Sequence, residues 1–286
     1  MPNALRALAL CLPLAGCTIV EEHYHCDTGT DVTTDTDTTD TDSTDTDTTD
    51  TDTTPAGDIL TDGVYYILYS AWPLIGIDQR PDVDATFDPD GAMLTYLADP
   101  VWEAPDFTAM THHDVYATGT TGIGRHSDGD MTGNFNNVTP LTFTADEGFH
   151  YALTQTEITT GPFGKDGEYT LISNTTPTTF GSNGLGTLDH LSIDVVAGDP
   201  PQFDVDLQVT VAGEAYTYQS GSYTPLQSGP NFQHFGSGAT EAGSLCQPNC
   251  TPIIYGVFAE DHDLMMVAWQ FMGTDRISGV ALLHAP

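Results

Sequence analysis

Apolar and polar positions change over in short runs, and turn residues separate the runs. GVYYILYSAW (63–72) is dense in aromatic and β-branched residues and predicts a strand buried on both faces. ATFDPDGAMLTYL (85–97) predicts a hairpin around Asp88-Pro89-Asp90-Gly91, where proline presets φ and glycine supplies a positive φ. TFTADEGFHYALTQ (142–155) and GPFGKDGEYTLIS (161–173) repeat that pattern around Asp146-Glu147-Gly148 and Lys165-Asp166-Gly167. Residues 191–223 divide into three strands, residues 253–271 form another hairpin, and 276–285 form a strand. Nowhere do apolar residues keep a capped 3.6-residue period, and the 28 glycines and 18 prolines disfavour helix. Strand-turn-strand units without crossover helices predict an all-β antiparallel meander over residues 58–286. Roughly ten to twelve strands should close as a barrel or pack as a two-sheet sandwich.

The first 57 residues follow different rules. Residues 1–16 carry one arginine and a short apolar run, too short for the roughly 20 residues that span a bilayer. That is the shape of a secretory leader. Leu14-Ala15-Gly16-Cys17 resembles the lipobox of bacterial lipoproteins. The resemblance implies cleavage before Cys17, lipidation of its thiol and acylation of its new amine, giving a stable multi-chain (palmitate-type) membrane anchor. Thr18 after the cysteine is similar to the signal of lipoproteins sorted to the outer membrane.

Residues 17–57 contain the block DTDTT, DTDST, DTDTT, DTDTT, with eight aspartates and no basic or large apolar residue. Low hydrophobicity with one sign of charge predicts a disordered acidic tether. Its glycine-free repeats do not suit a calcium-binding solenoid, which leaves only diffuse calcium condensation.

The net charge is −36, with 41 acids against five Lys+Arg. Twelve acids lie in 1–54 and 29 in 55–286, where only Arg80, Arg125, Lys165 and Arg276 oppose them. Phosphate binding needs cations, so nucleic acid is excluded as a partner. The partners left are the membrane, through the anchor, and a protein or small-molecule ligand.

The chemistry-bearing residues are few. Cys246 and Cys250 form a C-x3-C spacing that predicts a loop-pinching disulfide in an oxidising compartment, with Cys26 odd. His112-His113-Asp114 carries metal-capable side chains, but neighbours on a strand point to opposite faces. Arg125-His126-Ser127-Asp128-Gly129-Asp130 reads as a solvated turn, with His126, Asp128 and Asp130 as the other metal candidates. Asp88-Pro89-Asp90-Gly91 fails as an EF-hand loop, because Leu97 stands where the bidentate glutamate belongs. No nucleophile elbow, zinc-protease motif or phosphate loop is present, so neither a catalytic residue nor a resident cofactor is assigned. Asp62-Gly63-Val64-Tyr65-Tyr66 resembles the Gly-x-aromatic opening of lipocalin-like barrels, with tyrosine in place of the usual tryptophan. Three functions therefore compete: an anchored β-domain with a binding or structural role, a barrel-shaped small-ligand carrier, and a secreted calcium-dependent hydrolase.

Overall fold

The computed structural model describes residues 58–286 except 72–75, 136–137, 156–164, 181–183, 199, 225, 229–230, 237–243, 247–249 and 274. The described residues belong to one compact unit, 52–286. The leader, Cys17, the acidic repeats and Cys26 lie outside the described residues, as does Trp72.

The fold is all-β and antiparallel. Its first half contains β1 (Gly63–Ala71), β2 (Gly76–Phe87), β3 (Met93–Leu97), β4 (Glu103–Thr118), β5 (Thr121–Phe135), β6 (Leu141–Phe143) and β7 (Phe149–Thr154). The order β4-β3-β2-β1-β7-β5 returns from β5 to β4, so six strands close a barrel, and β6 continues the β7 edge of β5 beyond His126. The second half contains β8 (Gly167–Asn174), β9 (Thr178–Thr179), β10 (Gly186–Val196), β11 (Gln202–Val211), β12 (Glu214–Gln219), β13 (Leu226–Ser228), β14 (Asn231–Phe235), β15 (Thr251–Ala259), β16 (Leu264–Met272) and β17 (Arg276–His284). It forms one curled sheet, β12-β11-β10-β8-β17-β16-β15-β14-β13, with β9 paired to β17.

Alternation along the strands builds three apolar layers. Tyr65, Ile67 and Tyr69 of β1 point into the barrel with Phe149 and Tyr151 of β7. The intervening Leu68, Ala152 and Ile123 point outward and meet Met266, Ala268, Val280 and Leu282 of the curled sheet. The other face of that sheet closes over Met265, Val267, Trp269, Phe271 and their neighbours. β1 is therefore buried on both faces, as its composition predicts.

The structure corrects three expectations. Seventeen strands occur among the described residues rather than ten to twelve, because β4 and β5 are long strands and several others have two or three residues. Residues 142–155 are not a hairpin, since β6 and β7 both pair with β5 and not with each other. Residues 125–127 are not a solvated turn: they lie buried within β5. Arg125 is buried because the outer face of β5 meets the seam, and His126 because it points into the barrel. Tyr151 fills the space beside Gly124, where a Cβ would stand 2.2 Å from the tyrosine hydroxyl.

Candidate functional site

The barrel interior is filled by side chains. Tyr69, Tyr96, Phe107, Phe135 and Phe149 pack as offset or tilted rings, with centroid separations from 4.7 to 6.4 Å. Such ring pairs add to the stabilisation from area burial alone. Among the described residues this packing makes the interior an apolar core, which weighs against the carrier reading.

At one end of the barrel Glu103 is buried among these rings. Tyr69 and Tyr96 donate their hydroxyls to Glu103 Oε1 at 3.0 and 2.8 Å. Arg80 donates through Nε to Oε2 and also pairs with Asp78 at 2.8 Å. A buried carboxylate needs this complement of donors to hold its charge. Burial raises the pKa of both tyrosines, so they remain donors. Glu103 also anchors the preceding loop: its backbone exchanges hydrogen bonds with Asp99, whose Oδ1 accepts from Val101 N and Trp102 N. That loop displays Val101 and Trp102, both more than half exposed, and Val138 and Leu97 are also exposed.

A polar seam runs where the barrel meets the curled sheet. Asp114, at φ 56 within a register shift of β4, accepts from Arg125 Nε at 2.9 Å and from Thr176 N at 2.8 Å. Although burial alone would raise its pKa, these donors hold the carboxyl below the ordinary aspartate value. Arg125 is only 3% exposed, and its Nη1 makes no hydrogen bond among the described residues. Beside it, His150 is fully buried and bonded to Thr175 and Thr178 at 2.8 and 2.6 Å. Burial drives its pKa down to about 3, with Arg125 adding to the effect.

The five histidine and aspartate candidates do not converge on one site. His126 is buried inside the barrel, stacked on Phe107 at 4.5 Å with a 6° interplanar angle and facing Tyr151 at 5.3 Å. Its pKa falls to about 3, chiefly through burial. His113 is half-buried, with its pKa lowered by burial and by Arg125. Asp128 and Asp130 are exposed, and Asp130 serves as acceptor for the Thr142 hydroxyl. His112 instead meets two residues of the β2–β3 turn: one donor atom each from Asp88, Asp90 and His112 lies within 4.8 Å of the others. The sequence places those two aspartates in a hairpin turn and gives no signal that β4 passes beside it.

Cys250 is disulfide-bonded and buried. Cys246 ends a short 3-10 turn at Ser244–Cys246, and its side chain is outside the described residues. On β10–β12, Ser192, Asp194, Asp204, Asp206, Gln219 and Gly221 line an open groove of about 300 Å³. Its acids sit on facing strands, with Asp194 directly opposite Asp204.

No family profile matches the chain, and no curated protein matches it by sequence. Among solved structures, the chain is similar to the isotype 1 transferrin binding protein B of serogroup B Neisseria meningitidis, at 12% identity and a TM-score of 0.42. That match covers 78% of this chain and 44% of the other, so the chain spans under half the length of that protein. A second match is a protein of unknown function of the DUF3598 family from Nostoc punctiforme, at 7% identity and a TM-score of 0.25, covering 79% of this chain and 96% of that one.

Proposed function

We propose that the protein is a lipid-anchored envelope lipoprotein whose β-unit acts in binding through its outer surface. The filled barrel carries this reading: with aromatic side chains occupying the interior, recognition is left to the exterior. The loop with Val101 and Trp102, held from beneath by Glu103, is a rigid apolar feature of the kind that protein-binding surfaces use. The leader, Cys17 and the acidic tether supply the setting. A 40-residue flexible chain has an end-to-end distance of roughly 35 Å, which holds a domain clear of a membrane. Thr18 favours the outer membrane, on its periplasmic or surface side.

Two measurements test the proposal. Cys17→Ala should move the protein out of the membrane fraction and remove acyl mass; wild-type fractionation of that variant would sink the anchor. Titration with the apolar dye 1-anilinonaphthalene-8-sulfonate separates surface recognition from a carrier role. Saturable uptake that Phe149→Trp abolishes would place a ligand inside the barrel and overturn the exterior reading.

A further inference from the structure

The connection from β3 to β4, residues 98–102, holds apolar side chains in water at one end of the barrel. Val101 is 58% exposed and Trp102 53%. Val138 is exposed at the same end, where its N–H donates to Phe135 O and Phe135 pairs with Glu103. The loop is not slack. Ala98 N and Asp99 N donate to Glu103 O at 3.0 and 3.1 Å, and Glu103 N donates to Asp99 O at 2.7 Å. Val101 N and Trp102 N donate to Asp99 Oδ1 at 2.7 and 3.1 Å. Pro100 has no N–H, so every amide of the loop is satisfied within the loop and its closing residue. Asn134 Nδ2 on β5 donates to Val101 O and pins the loop from the side. Trp102 therefore stands on backbone that is already ordered, and little further freedom is lost when something covers it. Tryptophans in that situation anchor protein interfaces.

Position and charge select what covers it. β4 runs from Glu103 to Thr118, and Gly119, just past its far end, donates its N–H to Asp58 Oδ2. Residue 58 thus enters at the end of the barrel opposite the loop, so the patch faces away from the side where residues 1–57 join. The rim of the patch is acidic. Asp84 pairs with the exposed Leu97, shares its outward face and is exposed. Asp106 pairs with Thr95, two positions from Leu97 on that face, and Asp99 is exposed in the loop itself. Arg80, the cation of the buried cluster beneath the loop, is held by Glu103 and Asp78. A second copy of this chain would set acids against acids, and an anionic membrane would be repelled. A basic protein surface meets both the apolar centre and the acidic rim.

We propose that the Val101–Trp102 loop docks a protein partner whose contact surface is basic, with Trp102 seated in an apolar pocket bordered by Lys and Arg. This rests on the exterior-binding reading and adds the surface and the chemistry of its partner.

The test begins with the full chain carrying photoreactive p-benzoyl-phenylalanine at Val101, cross-linked in the cells that make it and resolved by mass spectrometry. The captured protein is then purified and its binding to the full chain measured at 0.05 and 0.2 M salt. The expected partner carries an excess of Lys and Arg and binds more weakly at the higher salt. Trp102→Ala should weaken binding at least thirtyfold with circular dichroism unchanged. Asp84→Asn should slow association and reduce the salt dependence. Capture of lipid alone, of a second copy, or of a partner without basic excess overturns the proposal, as does unchanged affinity in Trp102→Ala or no adduct at Val101. The same probe at the exposed Val196 of β10 separates this failure from that of the broader reading. A saturable protein adduct from Val196 and none from Val101 would overturn this surface and leave exterior binding standing.

Discussion

The barrel and the curled sheet bury comparable apolar layers but are written in different sequence. β16 reads LMMVAWQFM and is buried at eight of its nine positions, because the barrel covers one face and the sheet's own curl covers the other. β4 reads EAPDFTAMTHHDVYAT and β5 TGIGRHSDGDMTGNF, yet they form the longest pair in the molecule. The difference lies in what each face meets. β4 turns one face to the aromatic interior and leaves much of the other to solvent or to polar seam partners such as Arg125 and Thr176. The barrel holds its strands by closure and by inward rings; the curled sheet holds its strands by apolar contact on both sides.

Removing a ring from each region tests whether they are one structure. Phe149→Ala and Trp269→Ala should each cost about 3–5 kcal/mol in denaturant unfolding. Both variants should still unfold in a single transition, because Leu68, Ile123 and Ala152 share a layer with β16 and β17. A two-step melt in either would show that the barrel and the sheet are separable.

The seam should answer next. Asp114→Ala leaves the Arg125 guanidinium buried without its carboxylate, for an expected loss of about 3 kcal/mol. A loss below about 1 kcal/mol would show that water compensates and that the ion pair does not join the regions.

Acid should act through two buried histidines. His126 and His150 both have folded-state pKa values of about 3 against 6.5 when unfolded. Between those values the unfolded chain binds more protons, so stability rises with pH. The contribution is complete above about pH 6.5 and drains away as the pH falls toward 3. Denaturant midpoints at pH 7 and 4.5 should differ, and His150→Asn should flatten that slope; an unchanged slope would remove His150 as its cause. The exposed Lys165–Asp263 pair marks the lower end of the scale, and Lys165→Ala should leave the midpoint within measurement error.

Legibility in the sequence followed the same division. β1, β11, β15, β16 and β17 stand where aromatic and β-branched runs predict them, and the β2–β3 turn falls on Asp88-Pro89-Asp90-Gly91. β4 and β5 were illegible because register shifts after Asp106, Met110 and His113 interrupt the two-residue period. Aspartates at φ 56 and 47 in those strands, Asp114 and Asp128, resemble turn residues for the same reason. His112 was visible as a metal-capable residue, but its neighbours Asp88 and Asp90 are more than twenty positions away and only the barrel's closure sets them beside it. The Glu103 cluster was not visible at all, because nothing local marks an acid that will be buried among tyrosines from β1 and β3.

The place of β17 between β8 and β16 has a consequence for how the molecule is made. Thr175 at the end of β8 bonds Val280, 105 residues further along. A chain that emerges N-terminus first at about 5–20 residues per second leaves that edge of β8 bare for roughly 5–20 s. Until β17 arrives, the strand is a row of open amides and carbonyls able to pair with another copy. Within the barrel the second edge of β1 waits in the same way for β7, where Ala71 pairs with Phe149, 78 residues further along. Crowding and a slow supply of the last strand should therefore favour aggregation through the edge of β8, and a holding factor for this chain would act there.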